Sequence, residues 1–188
     1  MPSAVVISTI QGTILSVFSN ILAQCIKAYR SDTPLSLNPT PTLTFALYSI
    51  LSTPPNYFWQ ELLESWFPSY TTPPSPPTSK SEGSIQQSLS TSNTIKKFLA
   101  DQAISAPLNT LAFLAFMKGS ALASRSHTSM SELLWEVVRD FPALHIASLK
   151  LWPAVGLLSF TLIPVERRVV FGSFVALGWN IYLGLAMS

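Results

Sequence analysis

The sequence predicts an all-α protein, a multi-pass transmembrane helical bundle with about four spans plus a short amphipathic or half-inserted helix. Only 11% of the 188 residues are charged and 48% are hydrophobic, whereas a soluble domain carries about 25% charged residues. Two long segments near the carboxyl end, 151–165 and 169–188, contain no charged residue. Since so few charges cannot coat a soluble surface, we expect lipid to cover part of the molecule.

The first two spans are predicted at residues 4–25 and 43–63. A bilayer core about 30 Å thick requires roughly 20 helical residues, and both segments reach that length. Residues 32–41 between them are rich in turn-forming residues. Pro54 and Pro55 fall inside the second segment, where proline is tolerated if neighbouring groups satisfy the freed carbonyls.

A segment rich in Pro, Ser and Thr divides the chain. Residues 69–93 have few large apolar side chains, so they cannot bury enough surface to offset the entropy of ordering. We therefore divide the single membrane domain into a first helical pair, 1–68, a disordered aqueous loop, 69–96, and the remaining helices, 97–188. The favoured interpretation of the loop is a passive linker, with phosphorylation or docking of a domain that binds Pro-rich ligands as alternatives.

Residues 103–123 form the third predicted span. The following segment, 129–140, has a different pattern, because Ser129 and Glu132 have the spacing of a capping box and apolar and charged residues occupy opposite faces. This pattern is typical of a short amphipathic helix on the membrane surface. Packing of the same helix on another loop is the alternative.

The two charge-free runs at the carboxyl end are separated by Glu166, Arg167 and Arg168. Residues 151–165 make roughly 22 Å of helix at about 1.5 Å per residue, which is too short to cross a bilayer comfortably, while 169–188 is long enough. Charged residues at the bilayer centre cost about 3 kcal/mol each, so one straight helix is not expected. We predict a half-inserted or tilted segment followed by a fourth span, and five spans is the alternative.

Polar residues recur at helical spacing within two of the spans, and each set shares one face. In a bilayer such faces turn away from lipid. They line a water-filled path or form hydrogen bonds between helices at about 1 kcal/mol or less per contact, and packing is the favoured interpretation. The candidates are Thr13, Ser16, Asn20 and Gln24, which continue a stripe begun by Thr9, and Gln102, Ser105 and Asn109.

No pattern in the sequence indicates catalysis or a cofactor. His127 and His145 have no second ligand at metal spacing, and there is no Gly-rich phosphate loop or nucleophile elbow. The single cysteine, Cys25, excludes an intramolecular disulfide. Asp101, at the start of the third span, is interpreted as a helix cap. Since no catalytic motif is present, we do not expect an enzyme. The small net charge of +2 does not point to nucleic acid, and we expect no nucleic-acid partner.

The carboxyl end resembles the Mpv/22-kDa peroxisomal membrane protein family, also called the peroxisomal membrane protein 2/4 family. That family ends approximately in Trp-Lys-x-Trp-Pro-x-x-Gln-x-x-Asn-Phe, then Val-Pro followed by an Arg, and then Trp-Asn-x-Tyr-Leu. A Lys…Asp-Gln…Pro element precedes this block. The matching residues are Lys97, Asp101, Gln102, Pro107, Lys150, Trp152, Pro153, Phe160, Pro164, Arg168, Trp179, Asn180, Tyr182 and Leu183.

The resemblance implies an integral protein of the mitochondrial inner membrane or the peroxisomal membrane. Family members resemble weakly selective channels for small solutes, involved in metabolite balance and oxidative stress, so the implied partners are the bilayer, small solutes and further copies of the chain. Arg168 would then lie at a pore mouth or extend to lipid phosphates. A non-transporting scaffold or assembly factor is the alternative. Asn20, Leu149, Gly156 and Ser159 depart from the family's Asp, Trp, Gln and Asn.

Overall fold

The computed structural model describes residues 3–71, 88–123 and 129–186. These residues are almost entirely helical, which confirms the predicted all-α class. The helices are α1 (Ala4–Arg30), α2 (Pro39–Trp66), α3 (Thr91–Ala100), a π-helix (Asp101–Ser105), α4 (Ala106–Leu122), α5 (Met130–Ser148), α6 (Trp152–Leu162) and α7 (Val165–Ala186). Two strands of two residues each, β1 (Tyr70–Thr71) and β2 (Ser88–Leu89), pair antiparallel.

Helix α1 has small and polar residues on its buried face and large apolar residues on its exposed face. Its buried residues include Ser8, Ser19 and Asn20, whereas Ile14 and Phe18 are 62% and 56% exposed. The amphipathic helix of a water-soluble protein has the opposite arrangement. The observed pattern is that of a helix with lipid on one side and close helix packing on the other.

The connection between α1 and α2 is fixed by the side chain of Gln24. Its Nε2 donates to the carbonyl of Asn38 at 3.0 Å, and its Oε1 accepts from the backbone N–H of Asn38 at 2.7 Å. Asn38 in turn caps α2 by accepting from the N–H of Thr40 at 3.0 Å. The predicted connection at 32–41 is therefore shorter than expected, because α2 begins at Pro39.

The loop predicted as disordered, 69–96, contains secondary structure at both of its ends. Residues 72–87 lie outside the described residues. At their flanks β1 pairs with β2, and the Ser90 side chain caps α3 by accepting from the N–H of Asn93 at 3.3 Å. Helix α3 continues through the π-helix into α4, so the helix of the third predicted span begins well before residue 103.

Helix α5 begins at the predicted capping box. The Ser129 side chain accepts from the N–H of Glu132, and the Glu132 carboxylate accepts from the N–H of Ser129, both at 3.2 Å. The helix is longer than the predicted segment 129–140, since it continues through Pro142 to Ser148. It then meets α6 at a bend of 54°.

The helical break at the carboxyl end, predicted at the charged residues 166–168, lies just before them. Ile163 has an extended backbone (ψ 125°), as residues before a proline prefer, and this ends α6 just before Pro164. Helix α7 then begins at Val165, so the charged residues Glu166 and Arg168 belong to its first turns. The short segment predicted at 151–165 corresponds to α6, which has 11 residues.

The predicted number of four spans is not confirmed by helix length and composition. Over the described residues, α1 is the one single helix both long and apolar enough to cross a membrane. Helices α5 and α6 reach the same standard only when they are taken together as one bent segment.

The three longest helices, α1, α2 and α7, pack closely together at Gly12. A Cβ at this position would lie 3.2 Å from the Ser173 Oγ, 3.3 Å from the Thr53 Oγ1 and 3.4 Å from the Ser49 Oγ. The Ser173 hydroxyl donates to the carbonyl of Val169 at 2.9 Å, which limits how far it can move. The absence of a side chain at Gly12 therefore allows the three helices to pack together.

We expect Gly12→Val to lower the stability of the bundle by about 1–3 kcal/mol, the usual cost of overpacking a filled interior. Gly178→Val is the matched control on α7, since nothing lies within 4 Å of a Cβ at Gly178. Thermal unfolding of the detergent-solubilised variants measures the difference. Equal unfolding temperatures for the two variants would show that Gly12 is not a packing point.

Candidate functional site

A cavity of about 330 Å³ lies in the centre of the bundle. All helices except α3 contribute to its lining. The polar part of the lining consists of hydroxyl and carboxamide side chains, and among the described residues that line the cavity only Asp101 and Arg168 are charged. Hydroxyl and carboxamide groups beside large apolar side chains, inside an apolar exterior, are therefore the main chemical feature of the bundle.

The π-helix places Asp101 and Gln102 at this cavity. The Asp101 Oδ1 accepts from the indole Nε1 of Trp59 on α2 at 3.0 Å, and its Oδ2 accepts from the Gln102 Nε2 at 3.3 Å. The predicted role of Asp101 as a helix cap is wrong, because the helix does not begin at Asp101 but runs through it from α3. Isolated π-turns within α-helices are frequent at functional sites.

Asn109 on α4, about two turns beyond Gln102, connects two helices across the cavity. Its Nδ2 donates to the Asn56 Oδ1 on α2 and to the Ser105 Oγ, both at 3.0 Å. The predicted polar stripe of Gln102, Ser105 and Asn109 thus lines the cavity as a set. Asn109 also forms a hydrogen bond between helices. Both interpretations of this stripe, a cavity lining and hydrogen bonds between helices, therefore apply to Asn109.

The predicted stripe on α1 is not a continuous cavity lining. Ser16 lines the cavity and donates to the carbonyl of Phe45 at 3.1 Å. Thr13 donates within its own helix to the carbonyl of Thr9 at 2.8 Å. Asn20 and Gln24 contact α2 instead.

Asn20 and Gln24 bind one side chain of α2 together. The Asn20 Oδ1 accepts from the Thr42 hydroxyl and from the Gln24 Nε2, both at 2.8 Å. The Gln24 Nε2 also lies 3.2 Å from the Thr42 Oγ1. Since the described cavity lining does not include Asn20, Gln24 or Thr42, this end of the stripe joins helices.

A buried ion cluster connects α2, α3 and α7. The Glu64 Oε2 accepts from the Lys97 Nζ and from the Arg168 Nη1, each at 2.8 Å. Lys97 is 0% and Arg168 5% exposed. Arg168 was predicted at a pore mouth or extended to lipid phosphates. The burial of Arg168 excludes contact with lipid phosphates, and its guanidinium lies against the Glu64 carboxylate.

Ser69 completes the coordination of this cluster. Its N–H donates to the Glu64 Oε1 at 2.6 Å, and its hydroxyl donates to the Glu64 Oε2 at 3.0 Å. The same hydroxyl accepts from Lys97 and, at 3.2 Å, from the Arg168 Nη2. The Phe160 ring lies 5.8 Å from the Lys97 Nζ and 5.2 Å from the Arg168 guanidinium carbon, a distance at which cation–π attraction adds to the pairing.

The remaining residues of the family-like motif lie around α6 and α7. Trp152 and Trp179 line the cavity with ring centroids 6.5 Å apart, and Asn180 lines it beside them. Pro153 occupies the first turn of α6, where its missing N–H costs nothing. Pro164 ends α6, as described above. The two prolines thus set helix boundaries, and the aromatic rings form the wall.

Sequence reasoning missed the roles of Glu64, Gln60 and Asn56. Glu64 lies at the end of an apolar span, and a charge in such a place is a signal for a buried partner. Gln60 and Asn56 precede it on α2 at spacings of four, on one helical face. The same periodicity that identified the stripe on α4 could therefore have identified its partner stripe on α2.

Within the described segments, no group of three His, Cys, Asp or Glu residues could hold a metal ion. The His145 ring stacks on Phe141 at a centroid distance of 5.1 Å and lies 3.3 Å from the Thr110 hydroxyl. His127 lies outside the described residues. His145 is therefore a packing residue that contacts α4.

The fold and the cavity define a helical bundle with an apolar outer surface and an internal cavity that carries hydroxyl and carboxamide groups. The profile of the Mpv17 / PMP22 family matches residues 124–184. The chain is 30% identical over 176 residues to "Peroxisomal membrane protein 2" of Bos taurus. The matched region covers 90% of this chain and 76% of that protein. It is 26% identical over 171 residues to "PXMP2/4 family protein 3" of Dictyostelium discoideum, with 91% and 77% covered.

A third relative matches over a shorter region. "Mitochondrial inner membrane protein Mpv17" of Xenopus laevis is 34% identical over 90 residues, which is 47% of this chain and 48% of that protein. No solved structure matches. The chain belongs to the Mpv17 / PMP22 family. The names of these relatives confirm the predicted localisation, an integral protein of the mitochondrial inner membrane or the peroxisomal membrane.

We expect Arg168→Met to destabilise the protein by about 3–5 kcal/mol, the cost of removing one partner from a buried ion pair. The neighbouring Arg167 is exposed, so Arg167→Met is a matched control with the same change of charge and is expected to alter stability little. The measurement is thermal unfolding in detergent. Comparable losses in both variants would contradict the burial of Arg168 in a stabilising cluster.

Proposed function

We propose that this protein lets small solutes cross an organelle membrane as a weakly selective channel. The observation that carries this proposal is the central cavity of about 330 Å³, whose lining includes hydroxyl and carboxamide groups. Polar side chains that face away from lipid and toward open space in a bilayer form a route that water and small solutes can follow. Such an arrangement requires no catalytic group, and we propose that the protein is not an enzyme.

The lipid-facing surface supports four spans. Besides α1, helix α2 exposes Leu43, Leu47 and Leu51 at 62%, 55% and 61%, which lie on one face at a spacing of four. Helix α7 exposes Phe174 at 61%, and α4 exposes Leu108 at 59%. We propose that α1, α2, α7 and the π-helix with α4 cross the bilayer, with α6 half-inserted and α5 at the surface.

The proposed partners follow from this arrangement. They are the lipid bilayer on the outside, small solutes on the inside and further copies of the same chain in the membrane plane, and nucleic acid is not among them. Association of copies is supported by the apolar residues that α5 also exposes, with Trp135 at 67% and Val138 at 63%.

A second candidate, a non-transporting membrane scaffold, is supported by a different observation. Asn20, Gln24 and Asn109 use their polar groups in hydrogen bonds between helices. The buried ion cluster and the β1–β2 pair also hold the base of the segment 72–87 firmly in place. A scaffold would need this rigid base and no open path.

A side chain placed into the cavity separates the two candidates. Gly172 lines the cavity, and nothing lies within 4 Å of a Cβ there, so Gly172→Phe can be accommodated and would narrow the path. We expect the variant to lower the conductance of purified protein in planar lipid bilayers severalfold. Gly178→Phe, on the same helix and outside the described lining, is the control and should conduct like the wild type.

Two results would contradict the channel. A folded wild-type preparation without conductance favours the scaffold. Equal conductance of the wild type and of a folded Gly172→Phe variant shows that solutes do not use this cavity.

A further inference from the structure

The part of the cavity around Gln60, Asp101 and Gln102 contains hydrogen-bond acceptors that the protein leaves unused. The Gln60 Oε1 and the Gln102 Oε1 are both buried, and neither has a hydrogen-bond donor among the described residues. Both residues line the cavity. A buried carbonyl oxygen without a donor costs about 1–3 kcal/mol, so two of them in one cavity point to a solute that donates hydrogen bonds.

The orientation of the Gln102 carboxamide is set by its neighbour. Its Nε2 donates to the Asp101 Oδ2 at 3.3 Å, and the other oxygen of that carboxylate accepts from the Trp59 indole at 3.0 Å. The nitrogen is therefore directed to the carboxylate, which leaves the Gln102 Oε1 as the free group. Because Trp59 precedes Gln60 in α2, the same contact brings the two helices together next to both glutamines.

Gly156 leaves space beside this pair. A Cβ at Gly156 would lie 3.6 Å from the Gln102 Nε2 and 3.9 Å from the Asp101 Oδ2. At this position helix α6 has no side chain beside the carboxamide, and Gly156 itself lines the cavity. The volume of about 330 Å³ is at the lower end of the roughly 300–1,000 Å³ found for small-molecule sites, so the space suits a solute of a few carbon atoms.

The charges near this region cancel. Lys97 and Arg168 carry two formal positive charges, and Glu64 and Asp101 carry two negative ones. Three of the N–H groups of the Arg168 guanidinium donate to Glu64, Ser69 and the carbonyl of Ile163, so its positive charge is already paired with Glu64. An anion that entered the cavity would have to compete with Glu64 for Arg168, and an ion that stays unpaired after losing its hydration is costly.

We infer that the preferred solute of this cavity is a small uncharged polyol. Hydroxyl groups can donate to the oxygens of Gln60 and Gln102 and can accept from the Ser and Thr hydroxyls of the remaining lining. A carboxylate cannot donate to the free oxygens. The counter-charge that an ammonium group would meet in the described lining is Asp101, whose two oxygens already accept from Trp59 and Gln102. The transport part of this inference rests on the proposed channel function, whereas the binding part does not.

Uptake into proteoliposomes measures the preference. The probes are erythritol, glycerate and the ammonium cation of ethanolamine, each corrected for protein-free liposomes. We expect erythritol to enter fastest. Gln60→Leu and Gln102→Leu should each slow erythritol uptake by about two- to tenfold, the range to which the net contribution of one hydrogen bond converts.

Gln11→Leu is the matched control, because Gln11 is exposed on α1 and lies outside the described lining. It makes the same chemical change and should leave uptake unaltered. Charged probes that enter as fast as erythritol would overturn the inference, as would folded Leu variants of Gln60 and Gln102 that behave like the Gln11 control. The ranking of the three probes with wild-type protein requires no variant, so a variant that fails to fold does not remove the test.

Binding in detergent separates this inference from the channel proposal. Trp59 is one hydrogen bond away from the site, so erythritol should change the intrinsic tryptophan fluorescence of the wild type and of Gln11→Leu, and change it less in Gln102→Leu. If no probe enters liposomes but this response is present, the channel proposal fails and the polyol site stands. If probes enter without selectivity and the response is absent, the channel stands and the polyol site is wrong.

Discussion

The architecture depends on the pairing of one carboxylate with two buried cations. Glu64 ends α2, Lys97 lies on α3 and Arg168 begins α7, so one acidic group determines where three helices meet. Burial of an isolated ion costs several kcal/mol even after relaxation, and Lys97 and Arg168 are almost entirely buried. Neither cation could remain in place without Glu64. Ser69 and the Phe160 ring surround the same group, which leaves little room for another arrangement.

The cavity follows from this constraint and from the packing at Gly12. The close approach of α1, α2 and α7 at Gly12 and the ion cluster at the end of α2 fix two separate points of the bundle. Between such points the cavity is lined by large apolar side chains, among them Phe45, Phe113 and Leu144, together with hydroxyl and carboxamide groups. Because the helices are held at two separate points, they do not close on the space between them, and a cavity with apolar walls and a limited set of polar groups remains.

Much of this architecture could be predicted from the sequence, because periodicity and charge density carry the signal directly. The capping box at Ser129, the short α6 and the shared face of Gln102, Ser105 and Asn109 are local patterns. The role of Asp101 could not be predicted, since a π-helix that continues α3 depends on contacts with Trp59 on α2. The partners of Arg168 were equally inaccessible, because Glu64 is 104 residues away in the chain.

The most direct measurement of the central role of Glu64 is a double-mutant cycle with Lys97 in thermal or denaturant unfolding. Glu64→Gln alone leaves two buried cations without a counter-charge, whereas Lys97→Met in the same chain removes one of them. The structure therefore predicts that Lys97→Met costs much less in the Glu64→Gln background than in the wild type, with a coupling of about 1.5 kcal/mol or more. Additive effects of the two substitutions would contradict the claim that this carboxylate holds the helices together.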